Sequence, residues 1–140
     1  MADAKDVVRE IEEAWAADDL STLDRLIAAD VVNHDAPPGF PPGLEGAKFG
    51  HRMFMASFPD RRQTLEELIG EGDRVAVRTQ VVATHTGDPF LGVAATGRQV
   101  RIEAMSIYRV AGDRAVEHWG INDGLGLFMQ LGAFPQPAPR

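Results

Sequence analysis

One carboxylate, Asp123, stands between WGI and GLGLFMQL in the run EHWGINDGLGLFMQLG, with no basic residue between Trp119 and Gly132. Two chemistries compete for it. If the strand before it alternates so that Trp119, Ile121 and Asp123 share the core side, the acid is desolvated and its pKa rises. It could then take and return a proton near neutral pH. If it instead caps a helix starting at Gly124, its oxygens accept the free amide hydrogens of the first turn, which lowers the pKa. The residue pattern permits both.

The other candidates surround this acid. On the preceding strand, Ile102, Ala104, Ser106 and Tyr108 share one face, small and apolar with two hydroxyls, which suits a pocket wall. Arg101, Glu103, Met105, Ile107 and Arg109 share the other. Asn33 and His34 lie where a short strand, VVNHD, meets a proline-rich loop; an amide there could hold an enolate oxygen or bond its own backbone. Phe54 and Trp119 are candidates for an apolar lining. The four histidines, His34, His51, His85 and His118, form no HxH or HExxH pattern, so no metal site is expected. With no cysteine and no GxSxG elbow, the sequence lacks a nucleophile signature.

The elements that must position these groups follow from periodicity. Val7, Val8, Ile11, Ala14 and Trp15 predict a helix over about Asp3 to Asp18, with Glu10, Glu12 and Glu13 on its solvent side. STLD predicts a second helix capped by Ser21 with Asp24 as capping-box partner. The loop DAPPGFPPGLEG can be neither helix nor central strand. AKFGHRMFMASF predicts a third helix ended by Pro59. The later half reads as antiparallel strands with turns at GEGD and AGD, then a short closing helix and a Pro-rich tail over 134–140. Helices first and antiparallel strands second is the order of an α+β domain, here one domain over 1–140. A curved sheet with helices on one face can enclose a small ligand.

Bulk properties remove other classes. A chain 44% hydrophobic and 25% charged has globular composition. A net charge of −7 without a basic stripe excludes nucleic acid as a partner. No apolar run approaches the ~20 residues of a membrane span, and the N-terminus has no signal-peptide core, so a cytoplasmic protein without a membrane partner is expected.

Two longer segments, ATHTGDPFLGVAATGRQV and YRVAGDRAVEHWGINDGLGLFMQLG, resemble the SnoaL-like polyketide (ester) cyclases of the NTF2-like superfamily. The resemblance extends over nearly the whole chain. It implies a cone-shaped α+β fold with an internal pocket, a small-molecule substrate, no cofactor and a homodimer formed through the outer sheet face, where Glu103, Met105 and Ile107 would sit. It also implies that Asp123 is the acid/base of an intramolecular aldol condensation and that Asn33 lies in the pocket. Those cyclases carry Gln and His on the strand before the final hairpin; Ala104 and Ser106 stand here, which implies a less polar substrate. Limonene-epoxide-hydrolase-like relatives use an acid at the same place with an Arg and a second Asp. Arg78 is present, but Gln80 stands where that acid is wanted. Epoxide hydrolysis, a dehydratase or isomerase reaction, and a non-catalytic ligand-binding dimer are the alternatives.

Overall fold

The computed structural model describes residues 3–133, so the Pro-rich tail expected over 134–140 lies outside the described residues. α1 (Ala4–Ala16) begins where Asp3 accepts the Lys5 N–H and buries Val7, Val8, Ile11 and Ala14 along one stripe. Burial of a Val or Ile side chain stabilises by roughly 1.5–3 kcal/mol, so this stripe seats the helix. Glu12 corrects the helical pattern. It is only 5% exposed, on the buried stripe four residues from Val8.

α2 (Leu20–Leu26) is capped by Asp19, not Ser21. Asp18 ends the approach in the left-handed region, φ 55. The next carboxylate then meets the Thr22 N–H at 3.3 Å and the Ser21 hydroxyl at 3.0 Å. β1 (Ile27–Asn33) follows directly and is longer than VVNHD suggests. After the proline loop comes α3 (Gly43–Ser57), closed by the Phe58 N–H on the Phe54 carbonyl just before Pro59.

Four strands complete the sheet: β2 (Arg62–Glu71), β3 (Arg74–Thr84), β4 (Gln99–Ala111) and β5 (Arg114–Asn122), followed by α4 (Gly124–Gln130). The order is β1-β5-β4-β3-β2, with β1 parallel to β5 and the rest antiparallel. This is the α+β architecture expected, a mixed and unclosed sheet with helices on one face. Both tight hairpins place a glycine first in a two-residue loop, Gly72 at φ 62 and Gly112 at φ 64, where a side chain would be strained.

Two buried clusters form the core. One joins α1 and α2 to the sheet through Val8, Ile11, Leu23, Val75 and Val110. The other gathers Phe58, Phe90, Val100, Ile102 and Leu127 beneath α4 and the loop after β3. The cavity described next is walled by residues of both.

Candidate active site

The inner face of the sheet is set by pairing. Tyr108 of β4 opposes His118 of β5, Ser106 opposes Gly120, and Ala104 opposes Asn122. Cross-strand partners point to one side of a sheet. Tyr108 is buried against α1, where its hydroxyl donates to Glu12 Oε1 at 2.8 Å. His118, Gly120 and Asn122 therefore face inward, and Trp119 and Ile121 face outward. This reverses the expected orientation of the last strand. A β-bulge causes it: Val110 opposes Ala115 but Arg109 opposes Glu117, leaving Val116 as an extra residue. The hairpin turn alone would have set Ser106 opposite Trp119.

The inner face and helices enclose a cavity of about 600 Å³. Asn33, Phe54, Ala104 and Tyr108 line it, as do His118, Trp15, His51, Arg61 and Gln63. Ser106 shares the inner face but is not among the cavity's lining residues; its hydroxyl lies beside the backbone of Gly120. His34 and Trp119 are outside. Their rings stack at 4.8 Å, nearly parallel, and His34 Nε2 meets Glu117 at 2.7 Å. Arg78 is also outside, paired with Glu67 at 2.8 Å.

Asp123 is exposed and does not line the cavity. It borders a second pocket of about 740 Å³, largely on the outer side, which His34, Ala104, Ser106 and Trp119 also line. Its carboxylate accepts the Gly126 N–H at 2.9 Å and caps α4. Of the two geometries open to this residue, the protein adopts the cap, and Asp123, Trp119 and Ile121 all lie away from the inner face.

The polar groups that do meet inside are others. Parallel pairing sets Asn33 opposite His118, and the alternation continues into the turn so that Asp35 points the same way as Asn33. His118 Nδ1 lies 2.9 Å from Asn33 Oδ1 and 3.0 Å from Asp35 Oδ1. Both oxygens are acceptors, so Nδ1 carries the hydrogen, and Nε2 of the neutral ring is left as a base. Gly120 makes this possible. A Cβ there would come within 2.8 Å of Asp35 Oδ2 and 2.9 Å of His118 Cε1.

A second polar group runs behind the opposite wall. Glu12 receives Tyr108 on one oxygen and Gln63 Nε2, at 2.7 Å, on the other. Burial raises the Glu12 pKa above its ordinary value, although the hydrogen bonds from Tyr108 and Gln63 and the charge of Arg61 oppose the rise. Burial also pushes the Tyr108 phenol well up, helped by the neighbouring Glu12. Arg61 donates to Gln63 Oε1 and, at 3.2 Å, to the Trp15 carbonyl. His51 Nε2 donates to Asp18 at 2.7 Å, and burial, the larger influence, lowers the His51 pKa.

Sequence reasoning missed Asp35, His118, Glu12, Arg61 and Gln63. A signal existed for two of them. If Asn33 faces a pocket, period-two alternation also turns Asp35 toward it, and an acid four residues from Val8 and three before Trp15 lies on the apolar stripe of α1. Among the described residues no group of three His, Cys, Asp or Glu side chains is placed to hold a metal ion, and no helix is long and apolar enough to cross a membrane.

Comparison with solved structures places the chain among relatives. IdmH from Streptomyces antibioticus, described as a candidate polyketide cyclase, is 37% identical, with 94% of this chain and 99% of that chain covered and a TM-score of 0.81. TsrD from Streptomyces laurentii is 26% identical over 96% of this chain and 99% of its own, with a TM-score of 0.83. AclR from Streptomyces galilaeus, described as a candidate hydroxylase, is 28% identical over 95% of this chain and 87% of its own, at 0.81. No curated protein matches the chain. The model of the SnoaL-like polyketide cyclases matches residues 5–131, and the chain belongs to that family, with its NTF2-like fold.

Proposed function

We propose that the protein is a cofactor-free acid/base enzyme that closes a ring by intramolecular aldol condensation of a small, largely apolar carbonyl substrate, with His118 as the proton-transfer group. The observation that carries this reading is the His118 ring in an apolar cavity, its Nδ1 hydrogen shared between Asp35 and Asn33. Nε2 takes a proton from a carbon flanked by carbonyls. Asp35 offsets the positive charge that develops on the ring, as a carboxylate does for any imidazolium it accepts a hydrogen bond from. Asn33 spends its oxygen on His118, which leaves its amide N–H groups for the enolate oxygen. The carbanion attacks a second carbonyl of the same molecule, and Nε2–H returns the proton to the new alkoxide. Tyr108 is not a donor here, because its hydrogen is held by Glu12.

Asp123 is the competing base, and one experiment decides between them. Exchange of the acidic α-hydrogen of a β-dicarbonyl substrate into deuterated water is followed by NMR for wild type, His118→Asn and Asp123→Asn. Removal of a general base costs ~10²–10⁴-fold, so His118→Asn loses exchange and Asp123→Asn keeps it. The reverse result gives the proton to Asp123 and ends the His118 mechanism.

The outer sheet face supports the dimer expected from the family. Ile69, Met105, Ile107 and Ile121 are exposed there, at 64%, 62%, 42% and 80%. Apolar patches of this kind mark interaction sites in soluble proteins. Met105→Lys with Ile121→Lys should yield monomers by sedimentation velocity; a wild type that sediments as a monomer refutes the dimer.

A further inference from the structure

The sheet order puts Asn33 and His118 near one edge, on β1 and β5, and Arg61 and Gln63 at the other, where β2 begins. The cavity thus has two polar poles, linked behind its wall through Tyr108 and Glu12, and the lining they share includes the apolar Val81, Ile102 and Phe54. The second pole is unusual in its charge pairing. Arg61 lines the cavity, yet it forms no ion pair among the described residues. Its guanidinium has five N–H donors, of which the described contacts, to the Trp15 carbonyl and the Gln63 amide, use two.

The acids nearby are engaged elsewhere. Glu12 does not line the cavity; it lies behind Gln63 and Tyr108 with both oxygens hydrogen-bonded. Asp18 is held by His51. A cation that lines a largely apolar cavity with donors to spare, and whose nearest acids, Glu12 and Asp18, act on its charge without pairing with it, suits an anionic oxygen, and the guanidinium fork fits two such oxygens side by side. Trp15 and His51, whose rings meet at 5.1 Å, form the adjoining wall.

We propose that Arg61 anchors a carboxylate or ionised enol of the substrate at a point other than the carbon that meets His118, and so selects an anionic substrate and fixes which carbon meets the base. This deepens the proposed function by naming the substrate class, and it rests on the same cavity being the substrate site, though not on the chemistry assigned to His118.

Binding without turnover tests it. The probes are 2-naphthoate and its neutral partner 2-naphthamide, titrated by calorimetry and by quenching of Trp15 in a Trp119→Phe background, since these are the two tryptophans of the chain. Charge-assisted hydrogen bonds predict that wild type prefers the acid by roughly 10- to 100-fold. Arg61→Gln should erase that preference by weakening the acid alone, and Arg61→Lys should keep part of it. Circular dichroism melts show that the variants fold, and the amide affinity reports an intact cavity. Equal affinity for the two probes in wild type, no binding of either, or an unchanged preference in Arg61→Gln overturns the anchor. Because no proton is transferred, loss of exchange activity in the His118 experiment leaves this result unaffected, and each proposal can fail alone.

Discussion

The two faces of β5 use the same residue types for opposite ends. Inward, His118 meets Asn33 and Asp35 around a cavity. Outward, one residue away in each direction, Glu117 binds Arg109 at 2.8 Å and Trp119 stacks on His34. Both faces carry a histidine, an acid and apolar side chains. What separates them is enclosure. Helices α1 and α3 and the loop after β3 cover the inner face, where Glu12 and Tyr108 are only 5% exposed, while the Asp35 side chain keeps 38% of its exposure. Within one protomer no helix of the described residues covers the outer groups; Arg109 and His34 stay 35% and 41% exposed, and an ion pair there is screened and worth little. Chemistry is therefore assigned by the side of the sheet a residue occupies, and side is a matter of register.

The most damaging way to break this difference is at Gly120. Its missing Cβ is the space in which Asp35, His118 and Ser106 approach one another. Gly120→Ala would place a Cβ 2.8 Å from Asp35 Oδ2 and 2.9 Å from His118 Cε1, so one or both side chains must shift while every proposed catalytic group stays in the chain. Misplacement of about 1 Å can cost ~10²-fold in rate. Deuterium exchange should fall by about that factor, with the melting curve showing a folded protein. Full activity in Gly120→Ala would mean that the His118–Asp35 contact has no part in turnover.

The same register explains what could be read in the sequence and what could not. The amphipathic stripe of α1, the breaks at Pro59 and the proline loop, and the glycines of both hairpins identified helices, strands and turns, because each reflects a local steric or burial preference. The inner set Ile102, Ala104, Ser106 and Tyr108 was also legible as one face of β4. The facing of β5 was not. Counting back from the two-residue turn at Gly112 puts Trp119 and Ile121 inside, and their hydrophobicity agrees with that wrong answer. Val116, the bulged residue, shifts the pairing by one, and a shift of one exchanges the two faces of a strand. The exposure of Ile121, Met105 and Ile107 removes the usual clue, since both faces of this sheet are apolar. Asp123 was misplaced for the same reason, and its alternative reading as a cap needed only local geometry. Glu12 required knowing that Tyr108, ninety-six residues later, supplies the hydrogen bond that makes its burial tolerable.

Two glutamates sharpen the comparison, in order of expected size. Burial raises the Glu12 pKa from its ordinary 4.5, whereas Arg109 first and His34 second lower that of Glu117. For Glu12 the unfolded chain loses its proton before the native state does. Its contribution to stability is therefore full below about pH 4.5 and is lost as pH rises through the folded value. One proton limits the slope to about 1.4 kcal/mol per pH unit. Urea unfolding across pH 4.5 to 8 should show that decline in wild type and not in Glu12→Gln, whatever offset the amide introduces at the low end. Glu117 has the opposite sign. Its folded pKa is below the unfolded one, so its contribution is present above the unfolded value and disappears as pH falls through the folded value. Because its carboxylate keeps partial contact with solvent and its partners are partly exposed, Glu117→Gln should move the acid side of the same profile only slightly, and added salt should reduce even that difference. A Glu12→Gln profile that still declines above pH 4.5, or a Glu117→Gln effect of equal size and salt-insensitive, would show that enclosure does not separate the two faces in the way their geometry requires.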